Sequence, residues 1–159
     1  MNQHKALSRR RELWLLFTLA GIQFTHILDF MIMMPLGPQF TALFGITDAQ
    51  FGLLVSAYTL AAGASGLVAS TYIDRFGRKR LLLALYSLFA LATLACGLAP
   101  GYGALMIARI AAGVFGGVLS ALCQTIVGDV IPFERRGRAM GIIMTSFSVS
   151  TVAGVPLGL

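Results

Sequence analysis

Ser70-Thr71-Tyr72-Ile73-Asp74-Arg75-Phe76-Gly77-Arg78-Lys79-Arg80-Leu81-Leu82 crowds five charges between two long apolar blocks. No charged residue occurs from 49 to 73 on one side, or from 81 to 108 on the other. A helix needs about 20 apolar residues to cross roughly 30 Å of hydrocarbon, and each block supplies them. The same rhythm continues outward through the charge-free intervals 13–28, 30–47, 110–128 and 139–159. The expected architecture is an all-α integral membrane protein with a basic segment 1–12 and five spans. These are Leu13–Leu36, Ala49–Tyr72, Leu81–Leu98, Ala104–Ile126 and Ala139–Leu159. Thr47-Asp48-Ala49-Gln50 reads as a capping box that starts span two, and Pro100-Gly101-Tyr102-Gly103 breaks the chain between spans three and four.

Composition agrees. Of 159 residues, 57% are hydrophobic and 11% charged, and the mean hydropathy is +0.83. Soluble domains carry roughly 25% charged residues, so this chain lacks the polar surface to face water. The same arithmetic excludes a disordered segment, a nucleic-acid-binding arm and a secreted disulfide scaffold. Cys96 lies near the outer membrane face and Cys123 near the inner one, so both are expected to remain free thiols.

The net charge of +6 is distributed by loop. Lys5, Arg9, Arg10 and Arg11 precede span one; Arg75, Arg78, Lys79 and Arg80 follow span two; Arg135, Arg136 and Arg138 precede span five. The two intervening connections have no Lys or Arg. Short Lys/Arg-rich loops stay cytoplasmic, which predicts a cytoplasmic N-terminus. Arg9-Arg10-Arg11 before an apolar run imitates a targeting signal, but the run continues to Pro35 with no small-residue cleavage site.

Small residues recur every fourth position. Span two carries Ala57, Ala61, Ser65 and Ala69; span four carries Gly113, Gly117 and Ala121; span five carries Ser146, Ser150, Gly154 and Gly158. Such rows let helix backbones approach closely where lipid supplies no hydrophobic drive. Two intramembrane charges stand out. Asp29 and Arg109 each cost about 2.5–3.5 kcal/mol to insert at a helix centre, and both fall near the outer ends of their spans. The expectation is a coupled pair lining a cavity; a permanent ion pair is the competing reading. Gln23, His26 and Asp29 share one face of span one, and a histidine there can relay protons near neutral pH. No metal-ligand spacing and no nucleophilic triad accompany them, which disfavours an enzyme.

Asp74, Arg75, Gly77, Arg78, Lys79 and Leu82 match the spacing of the cytoplasmic signature G-x-L-A-D-R-x-G-R-K-x-x-L, and the chain thereby resembles the major facilitator superfamily. Leu105, Arg109, Gly113 and Gly116 are similar to that family's L-x-x-x-R-x-x-Q-G, with Ala112 in place of Gln. The block Asp29–Pro38 resembles span one of twelve-helix drug and sugar efflux members, and Pro132–Gly141 the loop before span five. Gly154-Val155-Pro156-Leu157-Gly158 is close to the antiporter signature.

The resemblance implies a partial N-terminal six-helix half of a proton-coupled efflux transporter working by alternating access. Asp29, Arg109 and His26 would couple protons, and Asp74, Arg75, Gly77, Arg78 and Lys79 would gate the cytoplasmic side. Gly154, Pro156 and Gly158 would bend span five. Gln23, Tyr58 and Gln124 are candidates for a substrate cavity. The implied setting is the inner (plasma) membrane of a bacterial-type cell. The partners are the lipid bilayer, a small-molecule substrate and a missing C-terminal half; no nucleic acid is expected, and no cofactor beyond a proton gradient. The rival reading is a small non-transporting membrane protein that oligomerises or associates with a full-length transporter.

Overall fold

Proline placement decides how the first apolar block folds. Pro35 has no N–H to offer the Met31 carbonyl, and its ring crowds that carbonyl. In the computed structural model, which describes residues 9–154 and 156 (of Asp74, the backbone course only), helix α1 ends at Met31. A new helix, α2, runs Met33–Phe44. Pro35 is the third residue of α2, where a helix has no use for the N–H. The expected single span Leu13–Leu36 is thus divided at Ile32, and helix persists well past Leu36. Gly45, at φ 61°, closes α2 in the left-handed conformation, and the Ile46 N–H donates back to the Thr41 carbonyl at 3.2 Å.

The remaining helices are α3 (Asp48–Tyr72), α4 (Arg78–Gly97), α5 (Tyr102–Val130) and α6 (Phe133–Val149). A 3₁₀ turn, Ile73–Arg75, follows α3, and a π-helical stretch, Ser150–Gly154, follows α6. The capping box forms at the start of α3: the Gln50 N–H donates to Thr47 Oγ1 at 3.2 Å, and the Thr47 N–H to Gln50 Oε1 at 2.9 Å. By length and apolar composition α1, α3, α4 and α5 are able to cross a membrane. The fifth block differs from its expected form. Its helix starts earlier, at Phe133, and holds 17 residues before the π-helical stretch. Pro156 explains the change of register, because it withholds the N–H that the Val152 carbonyl would accept.

These helices form two compact units, Ile32–Leu122 and a second joining α1 to residues from Cys123 onward. In the Ile32–Leu122 unit, α3 and α5 lie parallel. Tyr102 Oη donates to the Gln50 carbonyl at 3.2 Å, and Ser65 Oγ donates to the Val114 carbonyl at 2.9 Å. Between those bonds the backbones nearly touch. A Cβ on Gly113 would lie 2.5 Å from the Tyr58 carbonyl oxygen, and one on Gly117 would overlap the Ala62 carbonyl oxygen. The face of α3 turned away presents Leu53, Leu60 and Leu67, all exposed. That is the arrangement of a helix whose outer surface meets lipid.

In the other unit α1 and α6 are also parallel, in a constant register. Ser146 Oγ donates to the Ala20 carbonyl at 2.8 Å and Ser150 Oγ to the Phe24 carbonyl at 3.1 Å, both across 126 residues. Gly154 continues the row one turn further, against Phe24 and Leu28.

The close approach in the α3–α5 pair predicts a selective glycine effect. Gly117→Leu is expected to destabilise the protein by about 1–3 kcal/mol through overpacking. Gly63→Leu, on an open face of α3, is expected to leave it unchanged. Thermal unfolding in detergent separates the two.

Candidate functional site

Arg109 occupies the second turn of α5 among apolar neighbours. Leu105, Ala108 and Ala112 are all buried beside it, and Arg109 itself is 1% exposed. An arginine side chain is a cation, so the fold has to accommodate a charge where water is scarce. Tyr58 supplies part of the answer. Its ring, 2% exposed, lies under the guanidinium carbon at 4.4 Å from the centroid. A desolvated cation–π contact contributes about 2 kcal/mol or more, comparable with the roughly 2.5–3.5 kcal/mol insertion cost of the arginine. The ring is held there by the α3–α5 contact, since the Tyr58 carbonyl is what Gly113 packs against.

Asp29, which the sequence pairs with Arg109, belongs to the other unit, in the last turn of α1, and is half-buried. A carboxylate there faces the negative end of the helix dipole. This is an unfavourable position that packing alone does not call for. One and two turns earlier on the same helix, His26 is half-buried and Gln23 buried. Of the three residues expected to line a cavity, Gln23 and Tyr58 are buried, whereas Gln124 is exposed on α5.

The charged loop after α3 is built around its backbone. Arg78 donates from Nη1 to the Ile73 carbonyl at 3.0 Å, which satisfies a carbonyl left over at a helix end. Arg75 lies over the Tyr72 ring at 5.4 Å, Gly77 caps the start of α4, and Lys79 is exposed. The loop after α5 repeats the device. Arg136 donates from Nε to the Ile131 carbonyl at 3.1 Å and from Nη2 to the Gly128 carbonyl at 2.5 Å. Two arginines five residues beyond an isoleucine carbonyl therefore clamp two helix ends, a role that charge counting does not reveal.

In the antiporter-like segment, Gly154 is buried in the π-helical stretch and Pro156 is exposed; Gly158 lies outside the described residues. The serines that precede it, Ser146 and Ser150, belong to the small-residue row read from the sequence. In the structure both donate to α1 carbonyls. Among the described residues no group of His, Cys, Asp and Glu is arranged to hold a metal.

Comparison with known proteins agrees with this architecture. The chain is 35% identical over 144 residues to the efflux pump dotC of Dothistroma septosporum, covering 89% of this chain and 24% of that protein. It is 31% identical over 153 residues to the multidrug resistance protein Stp of Mycobacterium tuberculosis, covering 96% of this chain and 28% of that one. The chain thus spans about a quarter of the length of these relatives. Its fold matches the crystal structure of a bacterial homologue of the human lysosomal transporter Spinster, inward-facing and unoccupied. The TM-score is 0.84 at 22% identity, over 91% of this chain and 30% of that one. The Major Facilitator Superfamily sequence profile matches residues 19–159, and with its multi-pass apolar helices the chain belongs to that superfamily.

Proposed function

We propose that this chain forms the N-terminal part of a proton-coupled transporter that exports a small solute or drug by alternating access. The observation that carries the reading is Arg109: a charge buried in an apolar helix, seated on the face of Tyr58. Ionisable groups at such positions are expensive and usually mark a substrate or ion pathway. Asp29, His26 and Arg109 form the proton-coupling set, and Gln23 and Tyr58 contribute to the substrate cavity, with Gln124 at its margin. Relatives named as an efflux pump and a multidrug resistance protein support export as the direction. No cofactor is needed, the proton gradient being the energy source, and the chemistry is transport rather than catalysis.

The cytoplasmic loop supplies the gate. Asp74, with Arg75, Gly77, Arg78 and Lys79, holds one of the two access states, and Gly154, Pro156 and Gly158 give the fifth span its bend. The basic loops fix the N-terminus on the cytoplasmic side of the inner membrane.

Transport by the protein encoded by the whole reading frame tests the coupling set. Arg109→Gln and Asp29→Asn are each expected to lower proton-driven export at least about tenfold with normal membrane insertion, a loss of about 1.4 kcal/mol in coupling. Tyr58→Leu is expected to resemble Arg109→Gln, while Tyr58→Phe, which keeps the ring face, retains most activity. Full export by both Arg109→Gln and Asp29→Asn overturns the assignment. Asp74→Asn is the corresponding test of the gate: unchanged export reduces the basic loop to a topology signal.

Orientation is tested separately in a Cys96→Ser, Cys123→Ser background. A cysteine at Ala99 is expected to react with an impermeant maleimide added outside intact cells, and one at Arg80 only after permeabilisation. The reverse pattern contradicts the proposed topology.

A further inference from the structure

The fixed register of α1 and α6 has a chemical consequence at their N-terminal ends. At an offset of 126, Leu13 lies level with Ala139, so both helices change from charged to apolar at the same height. The charged ends of the two helices therefore lie side by side at one end of the pair. Between them is a pocket of about 140 Å³ lined by Arg9, Glu12, Arg135 and Arg138 on the charged side, with Leu13, Leu16, Ala139 and Ile142 beneath. Glu12 accepts from Arg135 Nη1 at 3.0 Å. Three arginines against one carboxylate leave a cationic excess of two.

A second, almost wholly apolar groove shares Leu13 and continues along α1 past Arg10, Trp14 and Phe17. Trp14 and Phe17 are 66% and 65% exposed. A cationic pocket at the charge boundary, adjoining at Leu13 an aromatic-lined groove toward the apolar side, matches the two halves of an amphiphile. Basic pockets between membrane helices bind anionic headgroups, and tryptophan favours the interfacial depth.

We infer that the charged end of the α1–α6 pair is a binding site for one anionic phospholipid. Arg9, Arg135 and Arg138 receive its phosphate, and one acyl chain lies along Leu13, Trp14 and Phe17. The inference rests on membrane embedding and not on the transport reading, so each stands or falls without the other.

Native mass spectrometry of the purified chain in neutral detergent, titrated with phosphatidylglycerol or phosphatidylcholine, tests it. One phosphatidylglycerol is expected to bind at least about tenfold more tightly than phosphatidylcholine. Arg9→Gln with Arg138→Gln is expected to remove that preference, and both positions are exposed, so folding is preserved. Arg80→Gln, a basic residue of a different loop, is expected to keep it. Trp14→Ala with Phe17→Ala weakens binding while leaving the headgroup preference. Equal retention of the two lipids, or an unchanged preference in the Arg9/Arg138 variant, overturns the site. Displacement by millimolar inorganic phosphate overturns the lipid assignment in favour of a soluble anion.

Discussion

The backbones of α3 and α5 come within contact distance at Gly113 and Gly117. Lipid tails are as apolar as leucine, so helices in a bilayer gain little by hiding leucines from it. What remains is close packing and hydrogen bonding, and both require that side chains be out of the way. Removing two Cβ atoms brings Ser65 within reach of the Val114 carbonyl and sets the Tyr58 ring beneath Arg109. The buried cation is thus a consequence of the glycines. Without the close approach its ring partner would be displaced, and the share of the insertion cost that the ring offsets would be lost.

The same physics holds α1 to α6 with different residues. Here serine hydroxyls bridge to main-chain carbonyls at Ala20 and Phe24, and Gly154 leaves room for the Phe24 and Leu28 side chains. Hydroxyl bonds of this kind are worth about 0.6 kcal/mol on average in membranes. Their value lies more in register than in strength. A slip of one residue would carry both serines off their acceptors, and the constant offset aligns the charged ends of the two helices.

Much of this was legible in the residues. The apolar blocks marked the long helices, Thr47 and Gln50 announced the start of α3, and the four-residue rows in spans two, four and five are the rows found in contact. What periodicity cannot supply is the partner. It identifies the glycine face of α5 but not that Tyr58 will meet Arg109, because that pairing spans 51 positions of chain and depends on helix direction as well as spacing. A neutral ring carries no charge signal, so electrostatic reasoning alone does not single out Tyr58. The break at Ile32 had a local cue in Pro35, whose effect falls four residues earlier at Met31, inside an uninterrupted apolar run. The π-helical stretch before Pro156 has the same origin. The arginine clamps on the Ile73 and Ile131 carbonyls were masked because topology alone accounts for the positive charge of those loops.

The contact between α3 and α5 is directly measurable without altering a side chain. A Cβ on Gly117 would lie 2.7 Å from the Ala62 carbonyl carbon, which places the Gly117 Cα within about 4 Å of that carbon, given a bond of about 1.5 Å. Dipolar recoupling solid-state NMR of the protein in lipid, with ¹³C at alanine carbonyls and glycine Cα, reads this distance. The bonded pair Ala112–Gly113 serves as the internal reference. A clear Ala62–Gly117 cross-peak at short mixing time is the predicted result. Its absence, with the Ala112–Gly113 peak present, would mean that the two helices do not meet at their glycines.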